Sequence, residues 1–171
     1  MNLDLGSIAT TLLGSSSLNG IANSTGASKK DVTQVLSAAL PLLLQGAGKQ
    51  SSGKTTASGF AQALEQHAGV STSSISSFFK NVDLDDGAKI VSHLLGKSTN
   101  TTANKISKQT GLDSKTIISI LAAAAPLIMS LLGKKTVQAK KTDKTSSTQD
   151  LAKALLGSVD VGDLLKGFLN N

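Results

Sequence analysis

The 171-residue chain carries a net charge of +6, and its 17 basic residues are all lysines, set against ten Asp and a single Glu, Glu65. Arginine, cysteine, tryptophan and tyrosine are absent, which removes disulfides, thiol catalysis and thiolate metal sites, together with the guanidinium and aromatic groups that most often grip phosphates and bases. What remains is 39% hydrophobic and almost wholly aliphatic, long enough to bury a core and poor in strand-favouring aromatics, so helices are expected throughout.

The chain opens on "MNLDLGSIATTLLG", acidic before it is apolar. It lacks the basic start of a signal peptide, and a cytoplasmic location is the expectation. The Leu-Leu-Gly ending at Leu12 to Gly14 recurs at Leu94 to Gly96, Leu131 to Gly133 and Leu155 to Gly157, and reads each time as a helix stop.

Next comes "IANSTGASKKDVTQVL" (residues 21–36), a pattern that returns as "LEQHAGVSTSSISSFF" around Gly69 and "ISKQTGLDSKTIISIL" around Gly111. Gly26, Gly69 and Gly111 lie 43 and then 42 residues apart. Each follows an aliphatic residue by five positions (Ile21, Leu64, Ile106) and precedes another by six (Val32, Ile75, Ile117). In every copy the glycine is placed to end one helix in the left-handed conformation. Two residues on, Ser28, Ser71 and Asp113 are placed to cap the next. This is a capped two-helix corner used three times.

The first and third corners run into matching apolar helices, "VLSAALPLLL" and "ILAAAAPLIM", offset by 85 residues so that Pro41 falls on Pro126. A proline inside a helix removes one backbone bond, so a kink or restart is expected at both. The stretch from Ile117 to Leu132 is only 16 residues and carries two serines and that proline, short of the roughly 20 a bilayer requires, and reads as a core helix with no membrane span. Linkers are expected at Gln45 to Gly59 and Gly96 to Asn104. The overall division is a duplicated helical domain over 1–133, a lysine-rich flexible linker over 134–149, and short amphipathic helices over 150–171.

Two resemblances bear on function. "VDLDDGAKIVSHLLG" (Val82 to Gly96), followed by residues 106–133, resembles the bacterial domain-of-unknown-function family 937, the YidB-like proteins, across roughly residues 6–133; this implies an all-helical domain and supplies no catalytic residue. The first corner also resembles the helix-turn-helix of lactose-repressor-type regulators, with Ala22, Gly26, Ser28 and Val32 on its pattern. That implies Lys29, Lys30, Thr33 and Gln34 facing a groove of nucleic acid, with Ser114 and Lys115 as counterparts in the third copy.

Catalytic chemistry has little to stand on. His67 and His93 lie in no nucleophile or metal motif. "DLDDG" (Asp83 to Gly87) has Leu94 where a calcium loop needs its twelfth-position Glu, so the aspartates read as helix caps. "GAGKQSSGK" lacks the ending of a phosphate loop. The fold class expected is all-α, a multi-helical bundle of repeated capped helix-turn-helix units, with no cofactor and no metal. The expected role is a non-enzymatic binding or scaffold protein for an unknown partner or for itself through its C-terminal helices, with a lysine-driven DNA-associated protein as the alternative.

Overall fold

The computed structural model describes residues 5–157, and those residues form helices joined by short turns, with no strand among them. In chain order these are α1 (Leu5–Leu12), α2 (Ser15–Thr25), α3 (Lys29–Ser52), α4 (Ala57–Ala68), α5 (Ile75–Lys80), α6 (Leu84–Leu95), a 3-10 turn (Gly96–Ser98), α7 (Thr99–Thr110), α8 (Ser114–Thr142) and α9 (Thr148–Gly157). The fold is all-α.

The first corner is built from local chemistry. Gly26 ends α2 at φ 74°, and its amide donates to the Ala22 carbonyl at 2.8 Å. Ser28 then starts α3 with a reciprocal cap: its hydroxyl accepts from the Asp31 amide (3.1 Å), while its own amide donates to the Asp31 carboxylate (3.4 Å). The α7–α8 corner repeats the geometry. Gly111 ends α7 at φ 76°, and the Asp113 carboxylate accepts from the Thr116 amide at 2.9 Å. A threonine before each glycine ties the turn: Thr25 donates to the Ile21 carbonyl and accepts from the Ala27 amide, as Thr110 does with Ile106 and Leu112. Val32 and Ile117, just inside the following helices, are fully buried.

The corner around Gly69 departs from the expectation. Gly69 has φ −72° and ψ −16°, an ordinary right-handed conformation, and the cap of α5 is Ser74, not Ser71. The reason is the hydroxyl-rich run after the glycine. Ser71 bonds Ser73 at 2.9 Å, and the helix starts only where Ser74 can accept from the Ser77 amide. The α5 that follows has six residues, too short to serve as a core helix.

α3 and α8 form the centre. Pro41 and Pro126 are both buried, and the helices continue through them without restarting. Every residue from Ile120 to Ser130 is buried. The other helices cross between the halves: α2 packs on α8 while α7 packs on α3, and α4 covers α8 while α9 covers α3. α6 lies against both long helices, most extensively α8.

The expected linkers are all largely helical, and the one over residues 96–104 is the 3-10 turn followed by the start of α7. Residues 45–52 complete α3, with Gly46 and Ala47 buried and Gly46 seated against the Leu94 carbonyl of α6. The lysine-rich segment 134–149 is likewise mostly the last turns of α8, where Thr136 and Ala139 continue a buried stripe begun at Gly133. Its Lys, Gln and Ala residues are good helix formers, and that stripe is why a polar composition does not melt it here. The chain turns only at Asp143, whose carboxylate accepts from the Thr145 amide (3.0 Å) and from the Thr145 and Ser146 hydroxyls (2.6 and 2.8 Å). This holds its pKa down at about 2. Of the expected C-terminal helices, α9 is observed, starting at Thr148; residues 158–171 lie outside the described residues.

Candidate functional site

α4 and α6 are the two helices that lie most extensively along α8, yet they share almost no contact with each other. The space between them is a groove floored by α8. At one end it opens into a cavity of about 350 Å³ walled by Phe60 and Ala63 of α4, Ile90 and Leu94 of α6, and Met129 of α8. Gln50 and His93 stand at its mouth, locked together by a 2.7 Å hydrogen bond from Gln50 Nε2 to the His93 carbonyl. At the other end lies a second cavity of about 520 Å³, between Pro126 and Ser130 of α8, Val70 and Phe78, and Asp83 and Asp86 at the start of α6. His67 lines both and marks where they adjoin.

The side chains of α6 explain the change in character along the groove. Asp86, Ile90 and Leu94 follow one another at helical spacing, so a single face runs from carboxylate to aliphatic over eight residues, about 12 Å of axis. Asp83 caps this helix, its Oδ1 accepting from the Asp85 and Asp86 amides at 2.9 and 3.1 Å. Asp86 is half-buried, and its carboxylate has no bonded partner among the described residues. Val70, which edges the same cavity, is the one large hydrophobic residue that stands exposed among the described residues. Three acidic or imidazole side chains do not converge to hold a metal ion anywhere among the described residues.

The residues expected to face nucleic acid sit apart from this groove, on the first turns of α3 and α8. Lys29, Lys30, Gln34 and Lys115 are exposed. Thr33 is half-buried and donates to the Lys29 carbonyl at 2.8 Å, and Ser114 is half-buried and donates to Asn104 Oδ1 at 2.8 Å. Val32, Val35 and Leu36 of α3 are all buried in the core, so between residues 29 and 38 only Lys29, Lys30 and Gln34 stand exposed.

The groove itself was not legible in the sequence. Its walls come from α4 and α6, which are brought opposite one another only by a third helix. The one local hint was the pair His67 and His93, read as surface or helix-edge residues.

α8 is 29 residues long, well beyond the 16-residue apolar stretch, and by length and composition alone is long and apolar enough to cross a membrane; 78% of its most apolar window is buried inside the bundle. No curated protein and no solved structure matches the chain. The family described as bacterial protein of unknown function (DUF937) matches residues 9–135, from α1 into the last third of α8 and including both walls of the groove, and the chain belongs to that family.

Proposed function

We propose that this protein is a non-enzymatic binding module that takes an elongated, partly apolar ligand into the groove between α4 and α6. The observation that carries this reading is the pairing of two adjoining cavities, about 350 and 520 Å³, with Val70, the one large hydrophobic exposed among the described residues, at the rim of the larger. Both volumes fall in the range of small-molecule sites, which bury an apolar body and orient it with a few polar groups. A broad apolar interface for scaffolding finds less support, because the described surface offers no contiguous greasy patch. Self-association through α9 also fits poorly, since Ala152 and Leu156 are already buried in their own chain. For the DNA alternative the support is the exposed Lys29, Lys30 and Lys115, point charges that attract polyanions without reading bases.

The test is binding of the neutral dye Nile red to the full chain, which has no Trp or Tyr to interfere. Emission should rise and shift to the blue on addition of protein. Ala63→Trp, which fills the apolar cavity from a half-buried position, should abolish the rise while leaving the helical circular dichroism intact. Equal dye binding by the variant would refute the reading.

A further inference from the structure

We infer, building on the groove reading above, that the ligand is a cationic amphiphile, with an aliphatic chain between Phe60 and Leu94 and an ammonium-type group against Asp86, Asp83 and Phe78. The groove is chemically graded. Its Phe60 end is lined by no Asp, Glu or Lys among the described residues, whereas its other end holds two carboxylates.

In a chain with 17 lysines, pairing those carboxylates internally would be easy, yet no lysine among the described residues lines either cavity. Lys134, four residues past Ser130, is engaged with Thr72 Oγ1 at 2.6 Å, Lys80 lines a separate pocket beside α2, and Lys89, three residues after Asp86, is exposed and lines neither cavity. Asp86 therefore presents a half-buried carboxylate with no described cation bonded to it, and a bound cation would pair with it. Phe78 adds an aromatic ring to the lining of the same cavity, and aromatic rings attract quaternary ammonium groups. An anionic headgroup would meet like charge at that end, and a neutral one would leave Asp86 unpaired.

Three probes with the same decyl chain separate these cases: decyltrimethylammonium, decanoate and decyl maltoside. Each is titrated calorimetrically into the full chain below its micelle concentration. The cation is expected to bind at least about tenfold more tightly than either of the others. Asp86→Asn should weaken the cation by about three- to tenfold and leave the maltoside unchanged. Phe78→Leu should do the same without altering charge. Decanoate binding as tightly as the cation, or indifference of the cation to both substitutions, would overturn the inference. Nile red binding that persists without headgroup preference would defeat this inference alone, whereas loss of both would defeat the groove reading too.

Discussion

Gly87 of α6 rests on the Ala122 carbonyl of α8, so close that a methyl group added to the glycine would overlap the oxygen. Pro126 lies four residues after Ala122 and has no amide hydrogen, so this carbonyl is the one its helix cannot satisfy. The proline thus opens a place in the backbone, and the glycine lets α6 approach it closely enough for Cα–H to face the oxygen.

Gly87→Ala should therefore destabilise the fold by about 1–3 kcal/mol despite the better helix propensity of alanine. Gly59→Ala is the control: that glycine is also helical, but a methyl there meets nothing within 4 Å, so a gain of about 0.5–1 kcal/mol is expected. Chemical denaturation of both variants checks the pair. Equal effects would mean that the α6–α8 crossing is looser than described.

The three glycines that look alike in sequence should part company on mutation. Gly111→Ala forces a side chain into the left-handed region and should cost about 1–2 kcal/mol, a fall of about 2–8 °C in Tm. Gly69→Ala imposes no such strain and should stay within about 0.5 kcal/mol of the parent. A thermal melt that ranks them in reverse would contradict the turn geometry.

Acid should loosen the C-terminal corner before the centre. The Thr145 and Ser146 hydroxyls hold Asp143 at about 2, the Ser147 hydroxyl lowers Asp150, and Glu65 is lowered chiefly by the Thr148 hydroxyl and also by Lys140 at 3.5 Å. All three titrate lower folded than unfolded. Their contribution is complete above the ordinary carboxylate range near ~4 and is lost as pH falls through the depressed values toward about 2. NMR protection factors for residues 148–157 should fall over that interval while those for residues 120–130 hold; parallel loss would show that the corner is not a separate acid-sensitive element.

Polyanion binding should be weak and blind to sequence. Fluorescence anisotropy with two unrelated duplexes should give equal affinities, and replacing Lys29, Lys30 and Lys115 with Ala should weaken both alike, with a shallower dependence on salt. A duplex-specific loss would revive the reading of the α2–α3 corner as a DNA head.

What could be read from sequence was whatever a short stretch determines by itself. The corners at Gly26 and Gly111 were legible because a left-handed glycine and an oxygen-bearing cap leave their signature in neighbouring residues. Gly69 shared the spacing but not the conformation, since four hydroxyl-bearing residues follow it within five positions and postpone the next helix. Residues 134–142 read as linker because the stripe at Gly133, Thr136 and Ala139 is made of small side chains that carry little hydropathy. Small size is what lets α4 approach there: Gly133 sits against the Leu64 carbonyl. The groove depends on Phe60, Ile90 and Met129 converging from three helices, and no local pattern announces such a meeting.

α9 lies beyond the stretch that the family matches, yet it roofs α3, with the Leu156 carbonyl 3.3 Å from where a methyl on Gly48 would sit. A protein trimmed at residue 135 would show solvent an oily seam along α3. It would have to borrow a helix from a neighbour or turn sticky.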